Sequence, residues 1–212
     1  MTDPRLRKVT ITLIVAWALS VTVASALHAF KNDSAVPPIP FLVAAVGPIA
    51  IFAACFAASP QFHEFTLSLN PKFVTFVHLW RINGFVFLIL MAYGILPSRF
   101  AMPAGWGDIF IGATAPFVAF YLTNASHRRT FILWHLLGIT DLVVAVGSGA
   151  TARFFDPQSV SMLPMTVLPL SLVPTFLVPL LVIFHVIAIA QARRWREQEQ
   201  VRIRAAWPST AV

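Results

Sequence analysis

Residues 167–192 read VLPLSLVPTFLVPLLVIFHVIAIAQA, a run without a single Lys, Arg, Asp or Glu. About 20 apolar residues in a helix cross the roughly 30 Å hydrocarbon core of a bilayer. Five more apolar runs precede this one, at 9–30, 41–59, 73–96, 109–125 and 131–151, and only Arg81 and Asp141 bring a full charge into any of them. The whole chain of 212 residues is 58% hydrophobic and 11% charged, whereas soluble domains carry about 25% charged residues. A water-soluble fold of this size could not hide so much apolar surface. The expected surroundings are lipid.

Inside lipid every backbone polar group needs a partner, which leaves helices or a closed barrel. The runs lack the ten-residue alternation of barrel strands. The expectation is therefore an all-α, polytopic transmembrane helix bundle of six spans over residues 1–192, followed by a polar cytoplasmic tail over 193–212. With the N-terminus inside, the cytoplasmic segments hold Arg5, Arg7, Lys8, Lys72, Arg128, Arg129, Arg193, Arg194, Arg196, Arg202 and Arg204, against Lys31, Arg99 and Arg153 outside. This bias predicts both termini in the cytoplasm. The first run also has the basic start and the small residues Ala24-Ser25-Ala26 of a signal peptide, but it is longer than the usual signal core of about 7–15 residues.

The net charge of +7 does not indicate a nucleic-acid partner, because the basic residues sit at segment ends and form no patch with interleaved aromatics. The single cysteine, Cys55, excludes a disulfide framework and a thiolate metal site and is expected to pack as a small apolar residue. Ala50, Ala54 and Ala58 recur at the four-residue spacing that lets helices approach closely.

Intramembrane charges cost several kcal/mol and tend to be functional. At about 1.5 Å per residue, Arg81 and Asp141 lie at similar depth in spans running the same way. They suit a structural ion pair or the two sides of a polar ligand- or ion-binding cavity, to which Asn83 and Ser148 would contribute. Gly138, Ala145 and Ser148 share the Asp141 face and make it narrow. His78, His135 and His185 fall at comparable depth. Two imidazoles on facing helices could ligate a b-type haem and three a divalent metal, with hydrogen-bonded packing as the plainer role. His28, His63 and His127 fall near span ends or in loops. Prolines 164, 169, 174 and 179 recur every five residues and predict a kinked or locally unwound last span, a feature that lines sites in some transporters.

The connection 96–108, LPSRFAMPAGWGD, has two prolines that stiffen it and two glycines that permit unusual backbone angles. It reads as a loop whose last residue, Asp108, caps the fourth span or lies at an outer mouth. Together with Trp80-Arg81-Ile82-Asn83-Gly84 and Gly138-Ile139-Thr140-Asp141-Leu142, this stretch resembles an uncharacterised family of small multi-pass bacterial inner-membrane proteins over about the last two-thirds of the chain. The resemblance implies a bacterial inner-membrane location and no reaction. No nucleotide loop, zinc-protease motif or serine triad is present. Three expectations follow: binding or transport of a small ligand, ion or proton through an intramembrane polar site, a membrane b-type haem protein, or a non-catalytic membrane partner subunit. A homo-oligomer fits any of the three.

Overall fold

In a computed structural model the described residues are 4–32, 39–156, 158 and 160–206, and every regular element among them is helical. The prolines at 37 and 38, the last tail residues 207–212, and the side chains of Arg153 and residues 196–206 lie outside the described set. Helix α1 is Pro4–Ala26 and α2 is Ile39–Ala58, with the short α3, Pro60–Leu67, after it. A continuous helical stretch follows: α4 (Pro71–Phe76), a 3₁₀ segment (Val77–Gly84) and α5 (Phe85–Ala92). Then come α6 (Ser98–Tyr121), α7 (Arg128–Phe155), a π turn (Val173–Leu177) and α8 (Val178–Ala206).

Five stretches are long and apolar enough to cross a membrane: Pro4–Ala26, Ile39–Ala58, Pro71–Ala92, Ala125–Ala152 and Val173–Trp195. The run expected at 109–125 belongs to α6, which begins eleven residues earlier and is not among the five. Pro97 stands at its N-cap and Pro103 lies inside it. Glycines in this stretch do not bend it but remove bulk. A Cβ on Gly105 would meet Leu88 at 2.6 Å, and one on Gly84 would meet Asp108 at 2.5 Å. At Gly112 a Cβ would strike the backbone of Arg81 and Ile82. Without hydrophobic drive between helices in lipid, such close backbone approach is what holds them together. Ala101, Ala104, Gly105, Gly112, Ala115 and Ala119 are accordingly buried on α6.

The last span also starts late. Residues 167–172 precede the helix, the Leu168–Pro169 bond is cis, and regular winding begins at Val173. Pro174 sits in its first turn, where a missing N–H is tolerated. The break expected from the prolines thus appears as an unwound lead and a π turn. The third stretch ends where Gly94, at φ +68°, closes α5 with a bond from the Ile95 N–H to the Leu90 carbonyl at 2.8 Å.

The alanines at 50, 54 and 58 face outward, as does Cys55, while Phe52 points in. The close packing expected of that alanine face is therefore absent within the described chain, because the bulky ring takes the inner face of α2. One core joins α4, α6, α7 and α8 through Val74, Ile111, Ala115, Phe131, Trp134 and Ile187. A second joins Phe87, Leu96, Phe100, Ala101, Ala104 and Met165.

Polar contacts tie the elements together at each end of the bundle. At one end Arg194 donates to both oxygens of Glu64, at 2.8 and 2.5 Å, and Arg128 Nε donates to the Ala192 carbonyl at 2.9 Å. The hydrogen bond from Arg194, aided by its charge, holds the Glu64 carboxyl at about 2, below its ordinary 4.5. At the other end the Asn32 N–H donates to Thr166 Oγ1 at 3.2 Å.

Candidate functional site

A 3₁₀ helix repeats every three residues, so positions three apart eclipse one another. In Val77–Gly84 this places His78, Arg81 and Gly84 in one column, and all three are buried. Thr75, one turn earlier on α4, is buried beneath them. The column faces α6, α7 and α8, each of which supplies a polar partner.

Arg81 is 3% exposed and uses its whole fork. Nε donates to Asp108 Oδ1 at 2.6 Å, Nη2 to Asp141 Oδ2, and Nη1 to the Gly138 carbonyl at 3.2 Å. The same Nη1 lies 3.3 Å from His185 Nε2. Two glycines make room. A Cβ on Gly107 would occupy the space of the Asp141 carboxylate, and one on Gly138 would strike the His185 ring.

Arginine only donates, so His185 Nε2 accepts and the ring proton stands on Nδ1. His185 Nδ1 is 2.7 Å from His135 Nδ1, which then accepts and carries its own proton on Nε2. His135 Nε2 lies 3.3 Å from Thr75 Oγ1, whose hydroxyl donates to the Pro71 carbonyl at 2.8 Å. One fixed donor thus sets the tautomers of His185 and His135, and the hydrogen bonds all run in one direction from Arg81 to Pro71. His78 stacks on His185 with ring centroids 3.8 Å apart, and neither of its nitrogens has a hydrogen-bond partner. Trp134 closes the cluster edge-on and anchors its N–H on Thr114 at 2.9 Å.

The charges do not balance. One guanidinium faces two carboxylates, so with both ionised and the rings neutral the centre holds one net negative charge. Burying an uncompensated charge costs several kcal/mol, and one proton or one other monovalent cation restores neutrality. A donor nitrogen from each of His78, His135 and His185 lies within 4.8 Å of the others, close enough for the three to be candidate metal ligands. Haem fits less well. His135 and His185 bond directly to each other through Nδ1, and His78 stacks on His185, so the rings fill the space a porphyrin would need.

The structure brings Arg81, Asp141, His78, His135 and His185 together and adds Asp108. The expected capping role of Asp108 is overturned, because it is the eleventh residue of α6 and its carboxylate meets Arg81 instead of terminal amides. Asn83 and Ser148 lie apart from the centre, donating to the Trp80 and Ala145 carbonyls. Thr75 and the carbonyl of Gly138 belong to the site but were not expected in it. The three-residue spacing of 75, 78, 81 and 84 is the sequence signal for the former.

A cavity of about 220 Å3 reaches Asp108, walled by Phe41, Phe87, Leu142, Met162 and Val173 among others. A family model for a domain of unknown function matches residues 38–193, which include the whole centre and leave α1 outside. No curated protein and no solved structure matches the chain.

Proposed function

This chain belongs to the family of the domain of unknown function DUF8737, and we propose that it binds a proton within the bilayer and passes it along the histidine chain. We also propose six spans, α6 being the sixth. Its 24 residues would extend about 36 Å at 1.5 Å each, and its one carboxylate, Asp108, is paired with Arg81. The eleven-to-three basic bias supports cytoplasmic termini, and the resemblance noted above supports a bacterial inner membrane.

The observation that carries the proton reading is the polarised chain from Arg81 through His185 and His135 to Thr75. Each ring can take a proton on one nitrogen and release one from the other. A proton reaching the carboxylates from the cavity neutralises the centre and loosens the hold of Arg81 on its partners. His185 Nε2 then takes that proton, Nδ1 releases one to His135 Nδ1, and His135 Nε2 releases one to Thr75 Oγ1, whose hydroxyl gives its own proton to water at the Pro71 end. One proton enters, one leaves, and both rings end in the opposite tautomer. Ring rotation resets them.

The test is reconstitution of the full chain into liposomes that trap a pH-sensitive dye, with a potential imposed by a potassium gradient and valinomycin. Wild-type vesicles should acidify or alkalinise with the sign of the potential, and Asp141→Asn and His135→Phe should not. Flux no faster than in empty liposomes would reject the reading.

A second reading, a buried metal centre, is favoured by the unpartnered nitrogens of His78 beside two more imidazoles. Metal analysis of protein purified without chelator separates the two. A stoichiometric transition metal lost in His78→Phe would favour the metal.

A further inference from the structure

Several features of the cavity beside Asp108 are unused by a proton alone. Its walls are mostly aliphatic and aromatic, and among the described residues Asp108 is the charged side chain on them. Arg81 holds Asp108 through Oδ1, and the carboxylate keeps 16% of its side-chain surface exposed. Two wall residues on α2, Leu42 and Val46, are themselves 45% and 59% exposed. The cavity is therefore one side chain away from the outside of the bundle, where lipid would lie.

These features define a ligand. Such walls cannot replace the water shell of an alkali ion, but they suit alkyl and aryl groups, and the faces of Phe41, Phe87 and Phe100 attract organic cations. A neutral lipophile would leave the negative charge of the centre uncompensated. We infer that this cavity binds a lipophilic organic monocation, which enters from the bilayer, sets its charge against Asp108 and exchanges there with the proton of the buried centre. The inference rests on the proton-binding reading and names the species that would move against the proton.

Proton and organic cation neutralise the same single charge, so they exclude each other one for one. The groups that face this charge are Arg81 from the 3₁₀ segment, Asp141 and the Gly138 carbonyl from α7, and His185 from α8, with His78 stacked behind. On the cavity side stand Asn32, Ser161 and Thr166. His185 and His135 each have their free nitrogen engaged as an acceptor and His78 lies stacked behind them, which leaves the two carboxylates as the groups whose protonation competes directly with the ligand.

The full chain in nanodiscs is titrated calorimetrically with benzyltrimethylammonium and with its neutral isostere neopentylbenzene, against empty nanodiscs, at pH 8 and pH 5.5. The cation should bind at pH 8 and weaken at least about tenfold at pH 5.5, a difference of roughly 1.4 kcal/mol. The isostere should be indifferent to pH. Asp108→Asn should weaken the cation by a similar factor, and Ala145→Leu, which fills the cavity without altering a charge, should weaken both ligands. Equal affinity for cation and isostere at pH 8, or unchanged cation binding in both variants, overturns the proposal. Proton flux in liposomes without cation binding sinks the exchange and leaves the relay standing. Cation binding without flux sinks the relay and leaves the cation site.

Discussion

α2 buries Phe52 alone and α1 only 11% of its most apolar window, whereas the stretch from the π turn into α8 buries 39% and the stretch 71–92 buries 33%. Arg81 lies in the second group, and its partners come from α6, α7 and α8, none from α1 or α2. α6 sharpens the contrast, since it falls outside the helices apolar enough to be taken as spans, yet it buries nine residues. Hydropathy reads contact with lipid. Burial reads contact with other helices, and in this chain the charge, the imidazoles and the glycines collect where burial is high. The family match begins at residue 38 and so leaves out the first of the two peripheral helices.

If this division is sound, substitutions should fall steeply in effect from the inner group to the outer. Arg81→Ala strands two buried carboxylates and should cost about 3–5 kcal/mol, read as a loss of folded protein in detergent melts. A smaller cost would mean water already reaches the centre. Gly112→Leu drives a side chain into the 3₁₀ backbone and should cost about 1–3 kcal/mol of overpacking, by the same melt. Ala54→Leu on the outer face of α2 should stay within about 0.5 kcal/mol. A large loss there would show that this face meets a second copy or another protein and would break the comparison.

The smallest effect belongs to the Glu64–Arg194 pair between α3 and α8. In Arg194→Ala the Glu64 carboxyl should return from about 2 towards its ordinary 4.5, followed by NMR titration of the side chain. A depressed carboxyl adds stability above its ordinary value and loses it as acid approaches the lower one. The Glu64–Arg194 contribution is thus present at neutral pH and lost between 4.5 and 2.

Much of the fold was legible because lipid imposes one rule on long apolar runs. The meeting of Arg81 with Asp141 was foreshadowed by depth, since an intramembrane charge has few places to find a partner. What escaped were features whose local chemistry has two uses. Pro103, Gly105 and Gly107 read as a loop because proline and glycine usually mark one, but here glycine serves to remove a Cβ beside Leu88 and Asp141. That misreading put Asp108 at a helix start and hid it from Arg81. Thr75 escaped because a neutral hydroxyl within an apolar run, unlike Arg81 or Asp141, gives by itself no sign that it needs a buried partner.

That tighter winding has a mechanical meaning. Eight residues at about 120° and 2.0 Å each, in place of about 100° and 1.5 Å, turn the chain roughly 160° further and lengthen it by roughly 4 Å. Relaxing Val77–Gly84 to an ordinary helix would swing the Arg81 fork away from both acids and retract α5 towards α4. The two acids therefore hold Arg81 in a segment turned more tightly and drawn out further than the helices before and after it.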